Sequence, residues 1–225
     1  MSLTNSRQLL RVLADDWSST GGMLQRFSRS TAAAPWQACG EPIAVSLGRA
    51  GLAWGIGLHA AVDDGNPHKT EGDGRAPAGL FALTGLFGEA GPDSAVAQSL
   101  RLPYRCATGD LRCVDDPASR HYNRLVDRRD VAVDWVSAEE MRRSDGRYAI
   151  GAVIAHNLAG IAGAGSCIFL HVHEAPGLPT AGCTAGDPLA VQDVCAWLDA
   201  AARPVLVQLP RAEYVRRVGA WQLPA

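Results

Sequence analysis

Glycine and proline divide the chain into many short apolar segments, and this punctuation constrains the fold more than any other feature. The 225 residues include 24 Gly and 13 Pro, spread along the whole sequence. Short strands joined by turns are typical of this spacing. We therefore expect a mainly β (α+β) fold with a few helices. The length fits one large domain, predicted over residues 1–225.

Six segments are predicted strands, at residues 8–13, 42–47, 52–58, 148–156, 167–173 and 204–209. In the fifth of them, alternation places Phe169, His171 and His173 on one face and only apolar side chains on the other. We expect the apolar face to pack on the core and the histidines to face a cleft. Residues 63–79 are rich in Gly, Pro and Asp, and are predicted to form a long loop.

Two helices are predicted from the signals at their starts. Ser137 and Glu140 have the spacing of a capping box, in which each side chain satisfies a backbone donor of the other residue. Asp187 followed by Pro188 is a helix cap with proline at the first position. Apolar residues then recur at helical spacing as far as Leu198.

Composition and charge exclude several classes of protein. The formal net charge is −2, from 21 Lys+Arg and 23 Asp+Glu, whereas a nucleic-acid-binding domain is strongly basic. We therefore expect no nucleic-acid partner. No segment approaches the ~18 apolar residues of a transmembrane helix, and residues 1–17 lack the features of a secretory signal. The only lysine, Lys69, lies outside any Gly-Lys-Ser/Thr motif, which excludes a P-loop nucleotide site.

The cysteines do not form a recognisable metal or redox motif. They lie at positions 39, 106, 113, 167, 183 and 195, with no Cys-x-x-Cys pair. Cys106 and Cys113 are close enough in sequence to form a disulfide, but the spacing alone leaves this open. Most of the six are expected to be buried thiols.

Reactive side chains are concentrated between residues 156 and 187. Cys183 ends the small-residue sequence Pro179-Thr-Ala-Gly-Cys, between a predicted strand and the capped helix. A nucleophilic cysteine needs an accessible thiolate and a neighbouring base, and His171 and His173 are the available bases. The backbone N–H groups of Gly182 and Cys183 are candidate donors of an oxyanion hole.

Two other interpretations of these residues remain open. Cys183 is a buried structural thiol in the first, with both histidines serving no chemical role. In the second, His171, His173 and Cys183 are three zinc ligands. The zinc interpretation is the weaker one, because the sequence contains neither the zinc-deaminase signature nor an HExxH motif.

The order of several motifs resembles the L,D-transpeptidase catalytic domain (YkuD-like) family. Ile168-Phe-Leu-His171 followed by Pro179-Thr-Ala-Gly-Cys183 is similar to its active-site segment. Further similarity is found in the Gly-Asp and Pro-x-Gly-x-Phe elements of residues 69–81, in Cys113-Val-Asp-Asp-Pro117, in Tyr122-Asn123 and in His156-Asn157. The similarity extends from about residue 8 to about residue 214. Ala181 stands where the widespread family form has histidine.

This resemblance implies a YkuD-like β-sandwich or barrel and a cysteine enzyme of cell wall biogenesis and cell shape. Cys183 would attack the diaminopimelate–D-Ala bond of a peptidoglycan tetrapeptide stem. His171 would act as general base and acid, with its Nδ1–H oriented by a backbone carbonyl. The acyl group would pass to an amine of another stem or of a protein, or to water in an L,D-carboxypeptidase.

The resemblance also implies the surroundings of the reaction. The implied partners are peptidoglycan stem peptides, and carbapenem-type β-lactams as acylating inhibitors, in the periplasm or cell envelope. Substrate-binding residues would be His173, His156, Asn157, Tyr122 and Asn123. No cofactor or metal is implied. The alternatives are a catalytically inactive peptidoglycan-binding relative and a zinc-dependent hydrolase. For the cysteine enzyme, a histidine base predicts a bell-shaped pH profile with one limb near neutrality.

Overall fold

The computed structural model describes residue 3 and residues 5–225. The strands are β1 (Gln8–Ala14), β2 (Gly21–Ser28), β3 (Gln37–Ser46), β4 (Leu52–Trp54), β5 (Ala76–Gly88), β6 (Tyr104–Cys106), β7 (Leu111–Val114), β8 (Leu125–Asp127), β9 (Ala138–Glu140), β10 (Ile150–Ile154), β11 (Phe169–Val172), β12 (Thr184–Gly186) and β13 (Val205–Pro210). The helices are α1 (Ala95–Ser99), α2 (Pro188–Trp197) and α3 (Arg211–Trp221), with a 3-10 turn at Ala200–Ala202. The prediction of a mainly β fold with a few helices is confirmed.

Eight strands close into a barrel. The hydrogen-bonded order is β5-β10-β11-β12-β3-β2-β1-β13, and β13 pairs again with β5. The long β5 makes this closure possible, since its residues 79–82 pair with β13 and its residues 83–88 pair with β10. Strands β4 and β6 also pair with β5. Closure leaves no free edge among the eight strands.

The main core fills the barrel with apolar side chains from nearly every strand. Helix α2 adds Val191, Val194 and Cys195 to this core, and it begins as predicted at Asp187. The carboxylate of Asp187 accepts hydrogen bonds from the backbone N–H groups of Leu189 and Ala190. Because α2 starts directly after β12, this cap fixes the chain just beyond Cys183.

A second layer lies outside the barrel and consists of the small sheet β8-β7-β9. It shares a separate cluster of buried side chains with β5 and β11, including Phe87, Met141, Tyr148 and Phe169. A disulfide between Cys113 in β7 and Cys167 joins the two layers. Cys167 comes two residues before β11, so the disulfide fastens the small sheet to the strand that carries His171.

The structure answers one question that the sequence left open and corrects one expectation. Cys106 is a free cysteine and has no disulfide with Cys113, because β6 pairs with β5 while β7 lies against the start of β11. The capping-box segment is not helical but forms β9, in which Glu139 pairs with Cys113 of β7. Strand pairing at long range overrides the local helix signal here.

The six predicted strands correspond to β1, β3, β4, β10, β11 and β13, with some shifts at their ends. Residues 63–75 form a loop as predicted, whereas residues 76–79 belong to β5. The sequence did not predict strands β2, β5 to β8 and β12 or helices α1 and α3.

Candidate functional site

Cys183 reaches its position through the pairing of two short parallel strands. In β11 and β12, Leu170 pairs with Thr184, which places Cys183 beside Phe169. The backbone N–H of Phe169 donates to Cys183 Sγ at 3.3 Å, and the thiol donates to the Cys167 carbonyl oxygen at 3.5 Å. The thiol thus accepts one hydrogen bond and donates another, and 8% of the residue is exposed.

The turn before Cys183 is built around Thr180. The Gly182 N–H donates to Thr180 Oγ1 at 3.1 Å, and that hydroxyl donates to the Cys183 carbonyl oxygen at 2.6 Å. Gly182 has φ +155°, a backbone conformation that favours glycine. Of the two predicted oxyanion donors, the Gly182 amide is therefore engaged within the turn. The Cys183 amide has no hydrogen-bond partner within the described part of the chain.

His171 is buried and fixed by the main chain. Its Nδ1–H donates to the Val172 carbonyl oxygen at 2.7 Å, the backbone orientation that the resemblance implied. Nε2 is thereby left as the unprotonated nitrogen. The Tyr148 ring packs edge-on against the imidazole, with centroids 5.3 Å apart. Burial lowers the pKa of His171 to about 4, so the imidazole is neutral at pH 7. The expected limb near neutrality therefore moves to lower pH.

The thiol and the imidazole line the same pocket, which has a volume of about 280 Å³. Its walls come from the β9–β10 region, β11 and the loop before β12. The lining residues besides Cys183 and His171 are Glu139, Arg143, Arg147, Tyr148, Glu174, Leu178, Pro179, Thr180, Ala181 and Ala185.

Charged side chains surround the pocket. Arg143 and Arg147 both form ion pairs with Asp145, at 2.6 and 2.7 Å, and Arg147 also contacts Glu174 at 3.0 Å. Burial, and then the positive charges of these two arginines, disfavour protonation of His171.

Glu139 and Tyr148 form a pair that the sequence interpretation missed. Tyr148 Oη donates to Glu139 Oε2 at 2.5 Å, beside the thiol. Burial, followed by the Glu139 charge, raises the pKa of Cys183 to about 12. Cys183 is therefore a neutral thiol at pH 7. No local pattern announces this pair, since Glu139 reaches the pocket only through the pairing of β9 with β7.

Four of the predicted substrate-binding residues lie outside this pocket, in a buried network. Asn123 Nδ2 donates to the carbonyl oxygens of His156 and Asn157, both at 2.8 Å, and Asn123 Oδ1 accepts from the Cys167 N–H at 2.9 Å. Tyr122 Oη donates to a carboxylate oxygen of Glu71.

His156 is fully engaged in this network. The Ile56 N–H donates to Nδ1 at 3.1 Å, and Nε2 is 2.8 Å from the Ala164 carbonyl oxygen, which accepts its hydrogen. Burial lowers the pKa of His156 to about 4. These bonds hold the loop before Cys167, and the structure brings none of the four residues to the Cys183 pocket.

His173 is also separated from the Cys183 pocket. It lines a different surface hollow with Pro176, Gly177 and Asp187. Within the described residues, no three His, Cys, Asp or Glu side chains are grouped as metal ligands. The set of His171, His173 and Cys183 that a zinc site would need is thus not assembled.

None of the described helices is long and apolar enough to cross a membrane.

Comparison with known proteins adds no assignment: no protein-family model, curated protein or solved structure matches the chain.

Proposed function

We propose that the protein is a cysteine acyltransferase of peptidoglycan, an L,D-transpeptidase, with Cys183 as nucleophile and His171 as general base and acid. The main observation in support is that a thiol and a neutral imidazole, whose orientation is fixed through Nδ1, line one pocket. The proposed substrate is a tetrapeptide stem cleaved between diaminopimelate and D-Ala. The substrate class rests on the motif resemblance, and the chemistry rests on the pocket.

The first half of the reaction needs one proton acceptor. Cys183 Sγ attacks the carbonyl carbon while Nε2 of His171 takes the thiol proton, so a neutral pair can react without a resting thiolate. The proton then passes to the leaving D-Ala nitrogen as its C–N bond breaks, which leaves a thioester on Cys183. The free Cys183 amide is suited to donate to the oxyanion of the intermediate.

The Cys113–Cys167 disulfide supports a location outside the reducing cytosol, because such bonds persist in oxidising compartments. We therefore propose the periplasm or cell envelope.

A binding relative without catalysis is the second candidate. It is favoured by the burial of Cys183 and by the high pKa that burial causes, since an inert structural thiol has both properties. Binding of stem peptides without acylation would be its signature.

Intact-protein mass spectrometry after incubation with a carbapenem separates the two candidates. We expect one covalent adduct on the wild type and none on Cys183→Ala. Cys195→Ala is the matched control, since Cys195 is also a buried free thiol whose pKa is raised to about 12, but it lies in the main core. A wild type that binds stem peptides and forms no adduct would support the binding relative.

A further inference from the structure

Among the described residues, one charged group of the Cys183 pocket has no ion-pair partner. Arg143, Arg147 and Glu174 are joined with Asp145 in a chain of ion pairs. Glu139 also lines the pocket but forms no ion pair with any described residue, and its contact is the neutral hydroxyl of Tyr148. A ligand that carries a positive charge would form an ion pair with Glu139 and balance its negative charge.

Charged groups of both signs act on Glu139, and none of those described forms an ion pair with it. The carboxylates of Asp115 and Glu71 add negative potential at Glu139, and the Arg143 guanidinium adds positive potential. One oxygen of Asp115 is itself buried without a hydrogen-bond partner. An ammonium group offers a carboxylate both the opposite charge and hydrogen-bond donors.

We propose that Glu139 binds the ammonium group of the acyl acceptor, a primary amine, and takes its proton before attack on the Cys183 thioester. The inference rests on the proposed function and deepens it, because it selects an amine over water as the acceptor. Tyr148 is the positioning residue, since it holds the Glu139 carboxylate and packs on His171.

The protons and bonds of this step balance. The acceptor arrives as R–NH₃⁺ and transfers one proton to the Glu139 carboxylate. The resulting amine attacks the thioester carbon, so that a C–N bond forms and the C–S bond breaks. Nε2 of His171 carries a second proton from the attacking nitrogen to Cys183 Sγ, which restores the thiol. The third hydrogen stays on the new amide, and Glu139 releases its proton to solvent.

The environment suits Glu139 to this role. Burial raises its pKa, which brings the carboxylate closer in basicity to an amine and makes it a better proton acceptor. The neighbouring Glu140 offers a matched comparison on the same strand. Its side chain is 69% exposed and pairs with Arg112 at 3.2 Å, away from the pocket.

The test compares a charged and an uncharged acceptor on one donor. The donor is a tetrapeptide stem, and the acceptors are a tripeptide stem with a free diaminopimelate amine and hydroxylamine, which is uncharged at neutral pH. Amide, hydroxamate and hydrolysis products are measured by mass spectrometry for the wild type, Glu139→Gln, Glu139→Asp and Glu140→Gln. Carbapenem adduct formation reports separately on the Cys183 nucleophile.

We expect Glu139→Gln to lower the ratio of amide to hydroxamate by about tenfold or more, the factor associated with losing a hydrogen bond to a charged group. The loss should appear mainly as a raised KM for the amine. Glu139→Asp, which keeps the charge, should retain more of the ratio, and Glu140→Gln should match the wild type.

Three results would overturn the inference, and they differ in what they imply for the proposed function. An unchanged ratio in Glu139→Gln would remove Glu139 as the amine site and leave the cysteine chemistry intact. A wild type that only hydrolyses the donor would make water the acceptor. Absence of the carbapenem adduct on the wild type would remove the proposed function and the inference together. If Glu139→Gln does not fold, Glu139→Asp is compared with the wild type at high salt, which screens the Glu139 charge. An amide-to-hydroxamate ratio in Glu139→Asp that does not exceed the ratio of the wild type at high salt would then contradict the inference.

Discussion

Breaking the Cys113–Cys167 disulfide is expected to destabilise the fold by about 4 kcal/mol. The bond closes a loop of 54 residues, and the loop-entropy relation gives about 4 kcal/mol at 25 °C for that length. For a chain of this size, 1 kcal/mol changes Tm by about 2–4 °C, so the expected shift is on the order of 10 °C. The bond also fastens β7 to the approach to β11, where the Cys167 carbonyl accepts the Cys183 thiol proton.

Thermal unfolding followed by circular dichroism, with and without reductant, measures this effect. The double variant Cys113→Ala/Cys167→Ala is used because a single variant leaves a free thiol near Cys183. Its Tm should fall by about the same amount as that of the reduced wild type and should not respond to reductant. Carbapenem acylation should also slow in the double variant. A shift below about 3 °C would show that packing, rather than the bond, holds the small sheet in place.

Three further predictions concern the site and its supports. Because the pKa of His171 is lowered to about 4, protonation removes the base only in acid, so kcat/KM should fall near pH 4; an acid limb near pH 6.5, the ordinary histidine value, would contradict this. Gly182→Ala should cost about 1–3 kcal/mol, because of its φ of +155° and a Cβ placed 3.0 Å from the Arg75 carbonyl oxygen. Denaturant unfolding measures this cost, and Gly109→Ala, which has open space around its Cβ, is the control. Asn123→Ala should lower stability by about 1–3 kcal/mol through lost buried hydrogen bonds, and a raised substrate KM at unchanged Tm would instead indicate substrate binding.

Features that depend on neighbouring residues could be predicted from the sequence. The period-two pattern of β11 placed His171 on the face away from the main core, as the structure has it, but it grouped His173 with His171, whereas His173 lines a different hollow. The cap at Asp187 located the start of α2. Both signals depend on neighbouring residues only. The choice of Cys183 and His171 rested in addition on the motif resemblance, and the fold brings both side chains to one pocket.

The parts that the sequence did not reveal depend on contacts between distant segments. The capping box at Ser137 and Glu140 was overridden by the pairing of β9 with β7. The disulfide partner of Cys113 lies 54 residues away, and spacing had drawn attention to the nearer Cys106. Glu139 came to the pocket by the same strand pairing, so no local pattern could have marked it as part of the site.

In the proposed reaction, Cys183 forms an acyl-enzyme with a peptidoglycan stem. This step is tested most directly by mixing the protein with a tetrapeptide stem and following free D-Ala and protein mass together. We expect release of D-Ala and a transient mass increase equal to the acyl group, both abolished in Cys183→Ala and retained in Cys195→Ala. Release of D-Ala by Cys183→Ala at the wild-type rate, or a wild type that releases none, would contradict it.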